Sequence, residues 1–220
     1  MSSFDDLLRH PGLWRAREQG ASPTAPRGLP TGYAALDRCL PGGGWPQQGL
    51  IEILTDRYGI GELSLLMPAM AALCCDAEDG SGNSGGWLTW VSPPYQPYAP
   101  ALVAAGIDVR RVLVVRAAPP AEWAMEQALR SEACSVVLGW ATSRDRQGLR
   151  RLQLASEQSR CMAVLFRNLA DGDEPSPAVL RIALAAGPGG LEVRILKSRG
   201  GRPATVRLGW LDAAAQAAAH

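Results

Sequence analysis

Short apolar runs alternate with segments of helical periodicity along most of this chain. The runs that predict strands cover residues 50–54, 87–91, 112–115, 135–139 and 162–166, and the segments that predict helices cover 62–75, 98–105, 120–131 and 147–158. Runs this apolar cannot keep one face in water, and a regular alternation of strands with helices is typical of a parallel sheet. The pattern therefore predicts an α/β fold with a mainly parallel sheet flanked by helices.

The last third of the chain departs from this alternation. A loop at 169–178 precedes two strand-like runs, 179–185 and 191–197, which are separated by Gly187-Pro188-Gly189-Gly190. Because glycines take the positive φ of a tight turn without strain, these runs predict an antiparallel hairpin at the sheet edge.

Composition divides the chain into three parts. Residues 1–28 combine a short helical pattern (Phe4, Leu7, Leu8) with a segment rich in Pro, Gly and Ser, and they predict an N-terminal arm and linker. Residues 29–200 form the α/β domain, and residues 201–220 form a basic, alanine-rich tail. With 220 residues and 47% hydrophobic content, the chain can bury one substantial core.

Charge and cysteine content exclude few classes of function. A net charge of +1 gives no overall attraction to nucleic acid. The N-terminus lacks the features of a signal peptide, and no apolar run approaches the roughly 18 residues of a membrane span, so we expect a cytoplasmic protein without membrane contact. Five cysteines without CxxC spacing predict buried thiols in a reducing compartment, and we expect neither a metal nor another cofactor.

One segment resembles the lead-in to the phosphate loop of RecA recombinases. Thr31-Gly32 is followed by Leu36-Asp37, by the run from Gly42 to Pro46, by Gly49, and by the strand-like Ile51-Glu52-Ile53. A helical pattern follows at the expected place. The resemblance extends from about residue 29 to about residue 200 and implies a RecA-like fold.

The loop itself lacks the chemistry of a phosphate loop. Such a loop needs glycine-rich backbone, a lysine for the β/γ-phosphates and a hydroxyl for Mg²⁺. In residues 55–64 (TDRYGIGELS) the glycines are Gly59 and Gly61; the lysine position holds Gly61 or Glu62, and the hydroxyl position holds Glu62 or Leu63. The only lysine in the chain is Lys197. A carboxylate at Glu62 would also repel a triphosphate.

Two catalytic carboxylates are absent as well. The run 135–140 has Gly139 where RecA-like ATPases hold Mg²⁺ with an aspartate. After the run 87–91, Pro94 lies in the segment where a water-activating glutamate belongs, and proline cannot orient water or accept a proton. Three separate losses predict a protein that neither binds nor hydrolyses ATP, and hence a binding protein rather than an enzyme.

The degenerate loop is similar to that of the ImuA family, within the broader SulA-like group. The similar residues are the run Gly59–Leu66 (GIGELSLL) with Pro68-Ala69, and the run Trp87–Val91 with Pro93-Pro94 and Tyr98-Ala99-Pro100. The resemblance implies a damage-inducible, non-catalytic accessory protein of SOS mutagenesis. Its expected partners are an ImuB-like relative of Y-family polymerases, a C-family error-prone polymerase and RecA, in synthesis past DNA lesions.

A second function remains open from the sequence. SulA-like proteins inhibit cell division by sequestering the tubulin-like protein FtsZ, and the resemblance to that group implies this alternative. The length of the chain and its extended lead-in favour the ImuA family. Residual nucleotide hydrolysis conflicts with the missing lysine and carboxylates.

Three segments are candidates for partner binding. The arm offers Leu13 and Trp14, although a frayed tail is equally compatible with it. A cluster of arginines around one predicted helix could contact DNA or an acidic partner, or form a solvated face; it contains Arg144, Arg146, Arg150, Arg151 and Arg160. The tail could fold on a partner protein or on single-stranded nucleic acid, or simply stay in solution. Its residues are Lys197, Arg199, Arg202, Arg207 and Trp210.

Overall fold

The computed structural model describes residues 27–75, 86–117, 120–141, 145–159 and 161–209. These residues contain five α-helices: α1 (Ala34–Asp37), α2 (Met67–Cys75), α3 (Ala99–Ala104), α4 (Ala121–Arg130) and α5 (Arg146–Gln158). They also contain eight strands: β1 (Leu50–Thr55), β2 (Trp87–Val91), β3 (Val112–Val115), β4 (Cys134–Trp140), β5 (Met162–Asn168), β6 (Leu180–Gly187), β7 (Gly190–Ser198) and β8 (Ala204–Gly209). Short 3₁₀ turns lie at Pro41–Gly43, Val109–Arg111 and Leu169–Asp171.

The strands form one sheet in the order β3-β2-β4-β5-β1-β6-β7-β8. The six strands from β3 to β6 in that order pair in parallel, and β6, β7 and β8 pair antiparallel. The predicted α/β class, the mainly parallel sheet and the C-terminal hairpin are confirmed. β2 and β3 have the predicted bounds.

The sheet is covered on both faces, which explains the apolar character of its central strands. Every residue of β1 is buried. On one face Ile51, Ile53 and Phe166 pack with residues of α1, α2 and α3. On the other face Leu50 and Leu165 pack with residues of α4 and α5. A strand at the centre of such a sandwich has no side in water, as the sequence pattern predicted.

The lead-in segment is a locally hydrogen-bonded unit. The N–H of Thr31 donates to Oδ1 of Asp37 at 2.9 Å, and the N–H of Tyr33 donates to Oγ1 of Thr31 at 3.0 Å. The phenol of Tyr33 donates to the carbonyl of Ser64 at 3.2 Å and so links α1 to the turn before α2. The spacing of Thr31 and Asp37 is thus explained by turn geometry.

Two boundaries differ from the prediction. The helix expected from residue 62 begins at Met67, because residues 61–66 form turns in which the side chain of Glu62 folds back onto the loop. The sheet also continues beyond residue 200: Ala204–Gly209 pairs with β7, so part of the segment assigned to the tail is an edge strand. Alternating burial along β8, with Leu208 in the core, accounts for that pairing.

None of the helices in the described ranges is long and apolar enough to cross a membrane. Of the cysteines whose side chains are described, Cys74 and Cys161 are buried, and Cys39 and Cys134 are partly buried. Burial, and then the neighbouring Cys134, raises the pKa of the Cys161 thiol, which leaves it protonated and unreactive.

Candidate functional site

The loop that follows β1 is folded around a carboxylate of its own. Glu62 is 4% exposed. Its Oε1 accepts the N–H of Gly59 at 3.0 Å, and its Oε2 accepts the N–H groups of Gly59 and Ile60, each at 3.0 Å. Gly59 and Gly61 have φ values of 85° and 98°, which glycine adopts without strain. The backbone donors that a phosphate loop offers to an anion are therefore bonded to Glu62.

The sequence predicted only that the Glu62 carboxylate would repel a triphosphate. In the structure Glu62 also occupies the backbone N–H donors of the loop. Hydrogen bonds from backbone N–H groups to a carboxylate are stronger than those between neutral groups. A phosphate entering the loop would have to displace the Glu62 side chain and would then lie a few Å from its negative charge. The only lysine of the chain is elsewhere: Nζ of Lys197, in β7, donates to the carbonyl of Ser176 at 2.8 Å.

A tyrosine within the loop lies in a region of negative potential. Tyr58 is half-buried, and its pKa is raised first by burial and then by the negative charges of Glu62 and Asp171. These two carboxylates approach Tyr58 from different segments, the loop after β1 and the turn after β5. The surroundings of the loop thus favour a neutral group over an additional anion.

The position of the missing Mg²⁺-binding aspartate is filled by a neighbouring side chain. Gly139 lies near the end of β4, and a β-carbon added there would overlap Sδ of Met125 from α4. Met125 is fully buried. Packing of α4 on the sheet therefore leaves no room for a carboxylate at residue 139.

The segment that should carry the catalytic glutamate is a proline-rich turn. Pro94 is exposed, and it follows Ser92, whose φ of 53° is unusual for a residue other than glycine. The N–H of Ser92 donates to the carbonyl of Val115 at 2.8 Å, which fixes the turn to β3. Tyr95 and Tyr98 follow and are 66% and 70% exposed. This turn presents aromatic rings where an ATPase presents an acid.

A buried ionic cluster lies behind the loop, and the sequence analysis did not identify it. Nε of Arg181 donates to Oε2 of Glu52 at 2.7 Å, and its other nitrogens donate to the carbonyls of Asp171, Gly172 and Glu174 at 2.9 to 3.1 Å. Glu52 is fully buried. The cluster ties the 169–174 turn to β1 and β6.

A second arginine completes this cluster. Arg167 is fully buried, and its guanidinium lies 3.6 Å from Glu52, 3.4 Å from Asp171 and 3.6 Å from Glu174. Charged residues inside strands that are otherwise apolar were the available signal in the sequence. The strand positions alone do not show which charges meet, because the partners come from different strands and from a turn.

The structure divides the predicted arginine cluster. Arg151 is 3.3 Å from Oε2 of the largely buried Glu126 and 4.0 Å from Asp145, while Arg130 pairs with the same Glu126 at 2.7 Å. Arg151 thus holds α5 to α4. The other two described members, Arg146 and Arg150, are exposed on α5.

The predicted tail residues lie mainly along the antiparallel edge. Arg199 is 3.5 Å from Glu157, and Arg207, in β8, is 3.4 Å from Glu192. Arg202 is exposed between β7 and β8. Five of the predicted residues fall outside the described ranges: Leu13, Trp14, Arg144, Arg160 and Trp210.

The fold and the loop together define a RecA-like α/β protein whose phosphate loop is closed by its own carboxylate. No protein-family model matches the chain. The cell division inhibitor SulA of Edwardsiella piscicida is 33% identical over 126 residues, which are 56% of this chain and 70% of that protein. Protein ImuA of Caulobacter vibrioides is 27% identical over 216 residues, which are 86% of this chain and 84% of ImuA.

A third relative, SulA of Yersinia enterocolitica, is 29% identical over 61% of this chain and 84% of its own length. The chain therefore belongs to the SulA-like family, the group that also includes ImuA.

Proposed function

We propose that this chain is a non-catalytic accessory protein of the DNA-damage (SOS) response, acting in the cytoplasm in mutagenic translesion synthesis. It works by bridging an ImuB-like polymerase relative, an error-prone polymerase and RecA. The observation that carries the proposal is the similarity to ImuA over 84% of that protein's length, together with a loop whose anion-binding donors are bonded to Glu62.

The chemistry of three positions supports the proposal that the chain has no catalytic activity. Glu62 occupies the donors of the loop, Met125 fills the space at Gly139, and Pro94 stands in the turn after β2. Hydrolysis of ATP needs a bound phosphate, a held Mg²⁺ and an oriented water, and each of these three changes removes one of them. Binding is the remaining function of such a scaffold.

A second candidate is supported by its own observation. The Edwardsiella piscicida protein with 33% identity is named a cell division inhibitor, and this chain covers 70% of it. Under that alternative the chain would bind FtsZ. The alignment with ImuA spans 86% of the chain, against 56% for this SulA, and we therefore place the accessory function first.

The experiment that separates the two is a binding titration of the purified full chain against RecA, an ImuB-like protein and FtsZ. Saturable binding to the ImuB-like protein or RecA, without binding to FtsZ, is the expected result. Binding to FtsZ alone would favour the division inhibitor, and binding to none of the three would contradict both candidates.

A pair of variants tests whether the exposed arginines of α5 take part. Arg146→Glu with Arg150→Glu reverses two exposed charges and should leave the free energy of unfolding almost unchanged while weakening partner binding. The control is Arg38→Glu, which reverses an exposed charge directly after α1, on the opposite face of the sheet from α5. If the wild type, the double variant and the control variant bind the partner equally well, the arginines of α5 only face solvent.

A further inference from the structure

A small cavity opens at the carboxyl ends of β2 and β4, next to the closed loop. Its volume is about 160 Å³, and the residues that line it include Glu62, Trp90, Tyr95, Tyr98 and Trp140. This volume is below the range of roughly 300 to 1,000 Å³ that is typical of sites for nucleotides and other small molecules. The cavity has the size for a single side chain.

The cavity contains one negative charge that no cation neutralises within the described part of the chain. Of the described residues that line it, Glu62 alone carries a charge. Its carboxylate accepts hydrogen bonds from uncharged backbone N–H groups and forms no salt bridge with a described residue. Carboxylates as deeply buried as this one, which is 4% exposed, are usually paired with a cation. The cavity therefore favours a positively charged ligand.

Arg116 lies beside the rim but does not supply this cation. Its Nη2 donates to Oε1 of Gln96 at 2.6 Å, and the residue is exposed directly after β3. None of the arginines in the described ranges lines the cavity. A cation from another molecule can therefore enter it.

The rim carries two exposed aromatic rings. Tyr95 and Tyr98 are 66% and 70% exposed. The other two tyrosines of the chain, Tyr33 and Tyr58, are buried and half-buried. A guanidinium group is attracted to the face of an aromatic ring and stacks on it, and arginine makes such contacts more often than lysine. A carboxylate next to exposed rings thus favours arginine as the ligand.

The segment that carries the rings is preorganised. Three prolines restrict its backbone between residues 93 and 97. The carbonyl of Tyr98 accepts the N–H groups of Ala101 and Leu102 at 3.0 and 3.3 Å, at the start of α3. A tyrosine side chain has only two rotatable bonds, so ordering its ring costs little entropy. A ligand that contacts these rings therefore loses little of its binding free energy to ordering them.

The surroundings of the cavity favour a protein as the source of the arginine. The neighbouring residues Pro94, Ala99, Pro100 and Ala101 are exposed, and Val103 is 59% exposed. Clusters of exposed apolar groups mark protein interfaces, where tyrosine and arginine are enriched among the residues that contribute most to binding. A free cation would leave this apolar surface in water, whereas a protein would cover it.

We propose that the cavity formed by Glu62, Tyr95 and Tyr98 binds an arginine side chain of a protein partner. The guanidinium contacts the tyrosine rings, and the negative charge of Glu62 attracts it into the cavity. This inference deepens the proposed function, because it rests on the chain acting by binding proteins. The peptide experiment that tests it needs none of the proposed partners, so the inference and the proposed function can fail separately.

An NMR titration of the full chain with a capped pentapeptide, in which alanines flank a central arginine, tests the proposal. The peptide should shift the backbone N–H signals of Tyr95, Tyr98 and Leu102. The dissociation constant should be on the order of 1 millimolar, because a single side chain makes most of the contact. The same peptide with citrulline, the uncharged analogue of arginine, should bind about tenfold or more weakly. Absence of binding, or equal binding of the two peptides, would overturn the proposal.

Variants of the full chain locate the site. Tyr98→Ala should bind the arginine peptide about tenfold or more weakly, whereas Tyr98→Phe retains the ring and should bind it like the wild type. Glu62→Gln keeps an oxygen that can accept the N–H of Gly59 but loses the charge, and it should also bind about tenfold or more weakly.

The matched control is Asp173→Asn, which removes an exposed carboxylate from the turn after β5 and should bind the peptide like the wild type. Thermal unfolding of each variant shows whether its fold is intact. Unchanged peptide binding by folded Tyr98→Ala and Glu62→Gln would place the arginine elsewhere and so contradict the proposal.

Two further arms distinguish the inference from its alternatives. Any partner that binds in the titration against RecA, the ImuB-like protein and FtsZ should bind Tyr98→Ala about tenfold or more weakly, and equal binding would count against the proposal. If none of the three binds, the proposed function fails and the peptide titration still decides this inference. Exposed rings also stack on nucleic acid bases, so a thymidine decamer is titrated in parallel and should not bind. Decamer binding that Tyr98→Ala abolishes, without a response to the arginine peptide, would assign the rings to nucleic acid instead.

Discussion

Both carboxylate oxygens of Glu62 accept the N–H of Gly59 at 3.0 Å, so the residue that is incompatible with phosphate binding also stabilises the loop. Replacement of Glu62 by alanine therefore removes the carboxylate that accepts the N–H groups of Gly59 and Ile60. We expect Glu62→Ala to lower the free energy of unfolding by about 1 to 3 kcal/mol. Urea unfolding measures this loss.

The control for that experiment is Asp173→Ala, which removes an exposed carboxylate from the turn after β5 and should change stability by less than about 0.5 kcal/mol. Equal stabilities of Glu62→Ala and the wild type would mean that the carboxylate does not hold the loop.

Gly139 is required by the packing of Met125, and this makes a second prediction. Gly139→Ala forces a methyl group onto Met125 Sδ and should cost about 1 to 3 kcal/mol of stability, whereas Gly187→Ala in β6, with no atom closer than 3.8 Å, should cost less. The double variant Gly139→Ala with Met125→Ala should lose less stability than the sum of the losses of the two single variants. Strict additivity in denaturant unfolding would contradict this contact.

The ionic cluster behind the loop supports a third prediction. Arg181→Met leaves Glu52 buried with a longer contact of 3.6 Å to Arg167, and it should destabilise the protein by about 3 to 5 kcal/mol. Combining it with Glu52→Gln should cost less than the sum of the two single changes, because the second change removes the buried charge that has lost its Arg181 partner. A double-mutant cycle without coupling would show that Arg181 and Glu52 contribute to stability independently of each other.

The raised pKa of Tyr58 predicts how stability depends on pH. A folded pKa above the unfolded value of about 10 means that the fold favours the neutral phenol, so this contribution is fully present below about pH 10 and is lost as the pH rises through the folded pKa. Tyr58→Phe should match the wild type near pH 7 and lose less stability above pH 10. Unfolding followed from pH 7 to 11 checks this, and parallel curves for the two proteins would rule it out.

The fold could be predicted from the sequence because its signals are local. Predominantly apolar runs such as the one at 87–91 predicted strands with two buried faces, and Gly187 to Gly190 predicted the hairpin. β8 was missed because its alternating pattern, with Val206 and Leu208 among polar residues, lies in a segment rich in glycine and arginine that is typical of a tail. The start of α2 was misplaced because periodicity does not record a side chain folding back onto its own loop.

The site could be predicted only in part. Residue types alone indicated that lysine, aspartate and glutamate were absent from the expected positions. Residue types did not show that Glu62 accepts hydrogen bonds from the loop, that Met125 fills the space at Gly139, or that Arg151 forms an ion pair with Glu126. These relationships join residues from different elements, and one sequence contains no record of such pairs.

The most direct test of this account is a calorimetric titration of ATP and Mg²⁺ into the full chain, with Glu62→Ala measured in parallel. We predict no binding by the wild type up to millimolar ATP, because the loop donors are bonded to Glu62 and the loop has no lysine. We predict none by Glu62→Ala either, because the lysine and the Mg²⁺ ligand are still missing. Stoichiometric binding of ATP at micromolar concentration by the wild type would contradict the account.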